Sequence, residues 1–401
     1  SSGKSSSLSL IHLLNQEKFW QKNQLYFEDY YYFGTYPDIT NNKDNISFGI
    51  YKNKSLIAEN KDYLFNSILL SFSDSNGGTP YINTIHFIGD NPVERKIIEV
   101  FLKDDLKQFP LLFARIHDNY DRKNNSDFLF ENELNIYVED NISQLVYFPH
   151  KTIYYMIDTS LEMRGLSFSK SFPNNKIYWF APIRTKPQRT YDQYIENFTA
   201  DGKHIPYLLR NIVNNKSEKN QAIIEAIDEF GKKSGLYEKM IVKQYGESIN
   251  APFEIQFQLA DGTYRISNVG YGVSQVLPLI VQILADQEDG WFMIQQPEVH
   301  LHPKAQSALG EFLFAAFEKG KKIFVETHSD FIIDGFRRKL GESPEAASLA
   351  EQAQVVFFEK EGEGNQLNCI DIEADGEYKM SEATERFRSF FVQEALQNIG
   401  L

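Results

Sequence analysis

The clearest pattern of apolar and polar positions lies in the last third of the chain. Lys304 to Lys319 predicts an amphipathic helix closed by Gly320, and the short apolar runs Trp291 to Ile294 and Ile323 to Val325 before and after it predict buried strands. Strand, helix and strand in this order favour an α/β fold with a mostly parallel sheet flanked by helices. Polar residues that directly follow the two strands then share one crevice, where ligands bind in such sheets.

The region 45–176 instead has the pattern of short strands. Runs of strand-forming residues alternate with clusters of Asn, Asp, Gly and Lys, which predicts a β-rich antiparallel insertion. One interruption, Val93 to Leu106, is predicted to be helical. The many aromatic residues can stack on bases, but a sheet that covers a core needs them as well, and we favour the structural interpretation. The predicted strands include Ile46 to Tyr51, Tyr81 to Ile88, Asn135 to Val138, Gln144 to Phe148 and Thr152 to Ile157.

The remaining segments complete a four-part organisation of the chain. Ile177 begins a buried strand, and Tyr191 to Lys243 is predicted to be mainly helical, a lid with an exposed loop at 213–220. Hairpins are predicted around residues 261–262 and 361–365, and a helix at Ser381 to Leu396. We therefore expect the first helix and the start of the core in 1–44, the β-rich subdomain in 45–176, a strand and the helical lid in 177–250, and the rest of the core in 251–401.

Composition bounds the class of protein. A chain of 401 residues with 42% apolar residues can bury a large core in one elaborated domain or two. Its formal net charge of −14 argues against a surface that coats nucleic acid, although a local basic groove is compatible with it. Cys369 is the one cysteine, which excludes an internal disulfide framework, and no apolar run approaches the roughly 20 residues that span a bilayer. We expect a soluble cytoplasmic protein.

The opening residues, SSGKSS, carry the candidate phosphate-binding chemistry. They match the second half of a P-loop, G-x-x-x-x-G-K-[ST], with Gly3, Lys4 and Ser5 as its fixed members and Ser2 and Ser6 beside them. Backbone N–H groups at the start of the following helix bind phosphate, Lys4 reaches the β- and γ-phosphates, and the Ser5 hydroxyl can ligate magnesium. The first glycine of the motif falls upstream of Ser1, so we expect preceding residues to complete it. Alone, the same residues are typical of a flexible tail.

The residues that follow the two buried strands are the second candidate set. A nucleotide hydrolase normally has an acid at the end of the first strand to hold the magnesium shell, and the next residue orients water. Gln295 and Gln296 occupy these positions, and a Gln amide supplies neither negative charge nor a basic site for a proton. Glu298 is the nearest carboxylate along the chain. His328 follows the second strand, and this position favours a functional role over that of an ordinary histidine.

Three other groups of polar residues have open interpretations. Gly270, Gly272, Ser274 and Gln275 form a Gly-x-Gly-x-Ser-Gln turn at the start of a helix whose dipole favours anions, although a single Gly-x-Gly is usually only a turn. His300 and His302 have the H-x-H spacing of a zinc pair, but they lack a Cys partner nearby, which argues against a metal. Arg184, Lys186 and Arg189 follow the Ile177 strand and fit a phosphate, an acidic partner or a solvated turn equally well.

The order of these motifs resembles an ABC-type ATPase head of the branch that includes SMC, RecF and OLD-type proteins. Within it the chain is most similar to bacterial AAA-family ATPases with an I-E-Q-P-E-x-H-L-H-P motif. The resemblance implies a P-loop NTPase fold that binds ATP and Mg²⁺, with Ser5 and Gln295 at the metal. It also implies the following roles: Walker A for Gly3 to Ser6, the signature turn for Gly270 to Gln275, the end of Walker B for Gln295 and Gln296, the D-loop region for His300 to Pro303, and the γ-phosphate-sensing switch histidine for His328.

Position 295 departs from the family pattern. Gln296 is common among these similar ATPases, but Gln295 stands where an acid is expected. A substitution that traps bound ATP explains this residue, and so does a naturally slow or inactive site. In either case we expect the chain to bind nucleotide better than it hydrolyses it.

The resemblance also implies partners. In such heads the signature turn of one subunit completes the nucleotide site of the other, so ATP joins two copies head to tail. We find no heptad run long enough for a long coiled coil and no acidic cluster after His328 that resembles an appended nuclease. Similar stand-alone ATPases occur in antiphage systems such as Septu beside an HNH nuclease. A homodimer that controls an effector nuclease, with nucleic acid bound through the complex, is therefore the first hypothesis.

Two other functions remain open. A DNA-repair or recombination ATPase that binds DNA ends directly is disfavoured by the acidic composition, and a salt-sensitive gel shift with the protein alone would support it. A transporter's ATPase subunit is disfavoured by the Gln-Pro-Glu-x-His-Leu-His-Pro pattern, and copurification with a permease would support it.

Overall fold

The structure, a computed structural model, describes residues 176–398 apart from 193–194, 247, 249–250, 288–289 and 362–363, together with the backbone of six strands between residues 46 and 136. The chain divides into one unit of residues 9–174 and one that contains residues 175–401, and each is described by itself. The predicted strands Gln144 to Phe148 and Thr152 to Ile157 lie outside the described residues. The proposed boundaries at 44, 176 and 250 stay predictions.

The described part of the first unit is an antiparallel sheet of six strands in sequential order, which confirms the predicted β-rich insertion. The helix predicted for Val93 to Leu106 is wrong, because Lys96–Lys103 is a strand paired on both sides. Its sequence, KIIEVFLK, contains β-branched and aromatic residues, which pack well in a strand that is paired on both sides. The six strands are β1 (Ile46–Tyr51), β2 (Ser67–Asp74), β3 (Pro80–Ile88), β4 (Lys96–Lys103), β5 (Leu111–Asp118) and β6 (Asn132–Ile136).

The second unit combines helices with a parallel sheet, as the sequence predicted. Its elements in chain order are β7 (Ile177–Phe180), α1 (Ile205–Asn214), α2 (Glu218–Ser234), β8 (Lys239–Gln244), β9 (Phe253–Leu259), β10 (Gly262–Arg265), α3 (Tyr271–Ala285), β11 (Trp291–Gln295), α4 (Pro303–Glu318), β12 (Lys322–Glu326), α5 (Asp330–Glu342), α6 (Ala346–Ala350), β13 (Gln354–Glu361), β14 (Gly364–Asp371) and α7 (Glu382–Asn398).

The parallel sheet has the order β12-β11-β7, so β11 is its central strand. Phe180 of β7, Phe292 of β11 and Leu279 of α3 are each 0% exposed and belong to one core cluster. Full burial of such a side chain contributes about 1.5–3 kcal/mol. The core therefore fixes the three strands and α3 together, and the carboxyl ends of the strands lie at one edge.

A buried carboxylate ties the opposite edge of the same sheet. Asp286, which follows α3, accepts a hydrogen bond of 2.9 Å from the Tyr178 hydroxyl and pairs with Lys321 Nζ at 2.6 Å. The Asp286 carboxylate is 1% exposed. Since Tyr178 lies in β7 and Lys321 precedes β12, this contact limits sliding between strands and supports the register at the carboxyl ends.

The predicted helical segment between Tyr191 and Lys243 differs at its end. Helices α1 and α2 are present, but Lys239–Gln244 is β8, paired with β9 in a second, antiparallel sheet. The predicted loop at 213–220 is shorter, because Ser217 caps α2 by accepting a 3.2 Å hydrogen bond from the Asn220 N–H. The role of these helices as a lid stays a prediction. Both predicted hairpins are present, as β9–β10 and β13–β14.

Helices α4 and α5 pack closely enough to position the end of β12. A Cβ atom on Gly335 of α5 would collide with the backbone carbonyl of Ser307 in α4, so only glycine permits this approach. Helix α5 begins directly after Ser329, whose hydroxyl accepts a 3.2 Å hydrogen bond from the Ile332 N–H. The residues between β12 and α5 are thus held at both ends.

Candidate functional site at the carboxyl ends of the parallel strands

Gln295 and Glu326 face each other at the ends of β11 and β12. The parallel register pairs the two residues, and the Gln295 Nε2 amide donates a 2.9 Å hydrogen bond to Oε2 of Glu326. Gln295 is 1% exposed and Glu326 is 6% exposed. The carboxylate beside Gln295 therefore comes from the neighbouring strand and not from Glu298, which is the nearest acid along the chain. Our sequence reasoning missed Glu326, although its place at the end of a predicted strand was the available signal.

The turn that follows β11 departs from ordinary backbone geometry at two residues. Gln296 has φ 42° and His300 has φ 66°, both in the left-handed region that side chains other than glycine rarely adopt. The Gln296 N–H donates a 2.8 Å hydrogen bond to the Glu326 carbonyl, and the Leu301 N–H donates one of 2.9 Å to the Glu298 carbonyl. Such conformations persist where surrounding contacts enforce them, and they concentrate at functional sites.

Glu298 joins this turn to the end of β12. One carboxylate oxygen accepts from the Thr327 hydroxyl and the other from the His328 backbone N–H, each at 2.8 Å. A carboxylate that accepts two hydrogen bonds is well suited to hold a backbone segment in place. Glu298 is therefore placed to position the His328 segment, whereas its predicted catalytic role stays a prediction.

His328 itself is exposed. Among the residues that the structure describes, its backbone N–H is held by Glu298, and no hydrogen bond of its imidazole ring is found. The ring is thus available to a ligand or to another molecule while its backbone is fixed. The sensing role implied by the resemblance stays a prediction.

A second brace runs beside the first. The Gln306 Nε2 amide donates a 2.7 Å hydrogen bond to the Leu301 carbonyl, and its Oε1 accepts one of 2.6 Å from the Ser329 hydroxyl. Gln306 lies in α4, so one side chain connects the turn after β11 with the cap of α5. The two turns at the strand ends are consequently linked twice, by Glu298 and by Gln306.

The Gly-x-Gly turn packs directly on the turn after β11. A Cβ atom on Gly272 would lie 2.8 Å from the His300 carbonyl oxygen, so a larger residue cannot occupy this position without a shift of the backbone. Gly270 is the N-cap of α3, and a Cβ atom there would meet no atom within 4 Å. The rings of Tyr271 and His300 lie 5.5 Å apart. Gly272 therefore has a structural reason to be glycine, and Gly270 leaves open space at the helix start.

Ser274 and Gln275 make contacts within their own chain. The Ser274 hydroxyl donates a 2.8 Å hydrogen bond to the Tyr271 carbonyl, and Gln275 Oε1 accepts one of 3.1 Å from the Arg184 N–H. They are 6% and 4% exposed. Both side chains thus form hydrogen bonds inside the molecule. Their predicted role in nucleotide binding stays a prediction.

Arg184 separates from the other two cations of its segment. It is 3% exposed, and its Nη2 donates a 3.3 Å hydrogen bond to the Gln295 carbonyl, whereas Lys186 and Arg189 are exposed. Burial lowers the pKa of the Arg184 guanidinium to about 10, and the negative charge of Glu298 partly opposes this shift. The sequence could not distinguish the three cations, because it does not show which of them faces inward.

The two histidines of the H-x-H pair have structural roles. His302 caps α4, with Nδ1 accepting a 3.3 Å hydrogen bond from the Ala305 N–H, and His300 packs against the Tyr271 ring. Within the described ranges there is no group of three or more His, Cys, Asp or Glu side chains that could hold a metal ion.

A magnesium ion that is shared with phosphates needs only one or two carboxylates from the protein. Glu326, beside Gln295, supplies a buried carboxylate at the strand ends, so the oxygen-donor chemistry of this edge fits such an ion. Gln295 contributes an amide oxygen without charge. The remaining candidates of the P-loop, Ser2, Gly3, Lys4, Ser5 and Ser6, lie outside the described residues.

Comparison with solved structures gives several SMC ATPase heads at low similarity. The SMC head domain from Thermotoga maritima is 10% identical with a TM-score of 0.27, covering 70% of this chain and 75% of that chain. A Smc head derived from Pyrococcus furiosus, with an extended coiled coil and bound to the C-terminal domain of ScpA, is 9% identical with a TM-score of 0.29, covering 76% and 80%. No curated protein matches the chain.

No helix in the described part of the chain is long and apolar enough to cross a membrane. Residues 1–334 of the 401 match the family described as "AAA domain, putative AbiEii toxin, Type IV TA system". This match includes the P-loop residues, the Gly-x-Gly turn, both strand ends and His328. The chain therefore belongs to the AAA_21 family of P-loop ATPases.

Proposed function

We propose that the chain is an ATP-binding and ATP-hydrolysing switch subunit that dimerises head to tail around nucleotide and controls a partner nuclease in antiphage defence. The observation that carries this proposal is the pair of hydrogen bonds by which Glu298 joins the turn after β11 to the Thr327 and His328 segment. These bonds connect a candidate γ-phosphate sensor to a turn that also supports the Gly-x-Gly segment.

The connection continues from Glu298 to the surface. The same turn contains His300, whose carbonyl oxygen contacts Gly272 closely enough to exclude a Cβ atom. A displacement of the His328 backbone is therefore passed through Glu298 to the turn and from the turn to the start of α3. In a head-to-tail dimer the start of α3 faces the nucleotide of the second copy, so the presence of a γ-phosphate can decide whether the two copies fit together.

Such an arrangement works as a switch only if nucleotide binds the two states with different affinity. ATP that contacts both copies favours the dimer, and loss of the γ-phosphate removes this preference. Magnesium, when bound, neutralises phosphate charge at the strand ends. The residues of this chain hold the backbone at the strand ends. Because residue 295 is Gln, they supply one negative charge fewer than expected.

The partner is proposed from the family and from the resemblance. The family description names a toxin of a type IV toxin–antitoxin system, which fits an ATPase that works with an effector. Stand-alone ATPases of similar motif pattern accompany an HNH nuclease, and an acidic chain of net charge −14 is better suited to act on DNA through a partner than alone.

The first test measures the molar mass of the purified chain by light scattering, with and without Mg·ATP. We expect a monomer without nucleotide and a dimer with ATP, and a return to monomer when ADP replaces ATP. Lys4→Ala is the control, because it removes the proposed phosphate-binding cation. A chain whose mass does not respond to any nucleotide, although it binds ATP in a calorimeter, would contradict the proposed switch.

The second test restores an acid at position 295. Gln295→Glu is expected to increase ATP hydrolysis at least about tenfold, since a single electrostatic contribution to a transition state is typically worth that much or more. It should also shorten the lifetime of the ATP-bound dimer. Equal hydrolysis and equal magnesium dependence in the two chains would remove Gln295 from the metal site.

The third test concerns the effector. Copurification with an HNH nuclease, and nuclease activity that depends on ATP bound to this chain, would support the proposal. A salt-sensitive gel shift by the chain alone would instead support a DNA-repair or recombination ATPase.

A further inference from the structure

Arg184 is the most deeply buried cation near the candidate site. Its residue is 3% exposed, and its guanidinium donates one 3.3 Å hydrogen bond, from Nη2 to the Gln295 carbonyl. The Nε and Nη1 atoms are also buried, and neither has a hydrogen-bond partner within the part of the chain that the structure describes. Two of the three guanidinium nitrogens are therefore enclosed without an acceptor among the described residues.

This arrangement is unfavourable unless something compensates it. An enclosed donor without an acceptor loses its hydrogen bonds to water without replacement, and an uncompensated buried charge loses its hydration as well. The attraction of Glu298 only partly offsets the effect of burial on the Arg184 pKa, which still lies near 10, so the group remains charged at neutral pH. A purely structural role would be filled better by an uncharged side chain.

The position of Arg184 indicates which charge compensates it. Its backbone N–H donates to Gln275 of α3, and its guanidinium donates to the carbonyl of Gln295 in β11. It thus lies at the strand end that carries the candidate nucleotide site, against the helix whose start faces the nucleotide of the second copy in the proposed dimer. An anionic ligand bound there would interact strongly with this cation, because attraction between opposite charges is only weakly screened where water is kept out.

We propose that Arg184 is the buried positive charge that stabilises the polyphosphate of a bound nucleotide at the carboxyl ends of β7 and β11. The proposal rests on the proposed function in so far as that function requires nucleotide binding. The gain in nucleotide affinity comes from the charge of Arg184, so it should increase with the number of phosphates on the ligand.

The test compares Arg184→Met and Arg184→Lys with the unaltered chain in calorimetric titrations with Mg·ATP, Mg·ADP and AMP. Arg189→Met is the matched control, because Arg189 is an exposed cation of the same segment. Removal of the charge in Arg184→Met should weaken ATP binding at least about tenfold, with a smaller loss for ADP and the smallest for AMP. Arg184→Lys, which keeps the charge, and Arg189→Met should bind ATP within about threefold of the unaltered chain.

Thermal unfolding without ligand separates this role from a structural one. If Arg184 is a charge held for a ligand, Arg184→Met should be at least as stable as the unaltered chain without nucleotide but should gain less stability on addition of ATP. If Arg184 only fastens α3 to β11, the variant should lose stability without nucleotide and keep the full ATP-induced gain. The second pattern would overturn the proposal.

The outcomes also distinguish this inference from the proposed function. An unaltered chain that does not bind ATP contradicts the proposed function itself. An unaltered chain that binds ATP, together with Arg184→Met that binds equally well, overturns only the role of Arg184. Should Arg184→Met fail to fold, Arg184→Lys decides, because a loss of ATP affinity well beyond threefold with the charge retained would contradict an effect of charge.

Discussion

Substitution of Glu298 by Ala tests the connection between the two strand-end turns most directly. The substitution removes two acceptors, one for the Thr327 hydroxyl and one for the His328 N–H, each at 2.8 Å. A hydrogen bond to a charged group contributes about 1.5–3 kcal/mol, but Glu298 is half-buried and water replaces part of this, so we expect a loss of about 1–3 kcal/mol in the free energy of unfolding. Urea unfolding of the purified variant measures this loss.

Glu298→Gln should be much milder, at about 1 kcal/mol or less, because the amide oxygen can still accept from the His328 N–H and the amide N–H₂ can donate to the Thr327 hydroxyl oxygen. Glu382→Ala is the control for the removal of one negative charge, since the Glu382 side chain is 96% exposed. ATP-induced dimerisation should be weakened in Glu298→Ala and retained in Glu298→Gln. Unchanged stability and unchanged dimerisation in Glu298→Ala would refute the argument that this carboxylate transmits the nucleotide state.

Two further outcomes follow from the packing and from a buried histidine. Gly272→Ala should destabilise the chain by about 1–3 kcal/mol, because its Cβ atom would lie 2.8 Å from the His300 carbonyl oxygen, whereas Gly270→Ala, with no atom within 4 Å, should be tolerated; urea unfolding of both variants checks this. Burial lowers the pKa of His204, so the unfolded chain binds more protons in acid and stability should fall as the pH drops below about 6.5. Thermal unfolding between pH 5 and 8 should show a smaller decline for His204→Gln, and an identical decline would contradict this assignment.

The parallel strands β11 and β12, and the positions of Gln295 and His328 at or just after their ends, could be predicted because each depends on a local pattern. Trp291 to Gln295 is an apolar run of strand length that ends in polar residues, and hydrophobic burial leaves few alternatives for it. The strand Lys96–Lys103 was mistaken for a helix because a short apolar run with charged ends suits either structure when its neighbours are unknown. Its pairing with strands on both sides, which no local pattern shows, decides between them.

The contacts between the strand ends could not be predicted, because they depend on pairs of residues that are distant in the sequence. Glu298 and His328 are 30 residues apart, and Arg184 and Gln295 are 111 residues apart. Residue type indicates that each can form a hydrogen bond, but the partner follows from strand register and from the close approach of helices. For the same reason Arg184, Lys186 and Arg189 could not be told apart from residue type, although only Arg184 is buried.

The local pattern places residue 295 at a strand end, but its partner Glu326 follows only from the register of the two strands. The Gln295 amide donates to Glu326 at 2.9 Å, so the pair carries one negative charge where two carboxylates would repel each other and raise the pKa of the pair. The amide thus stabilises the chain without ligand, and in the proposed magnesium site it supplies one negative charge fewer than an acid would. Because an acid with a raised pKa destabilises the folded state above its ordinary pKa, Gln295→Glu should be less stable than the unaltered chain at pH 8 without magnesium, and this difference should shrink at pH 5 or with Mg·ATP. If the variant and the unaltered chain were equally stable under all these conditions, the carboxylates of Glu326 and residue 295 would not repel each other as argued.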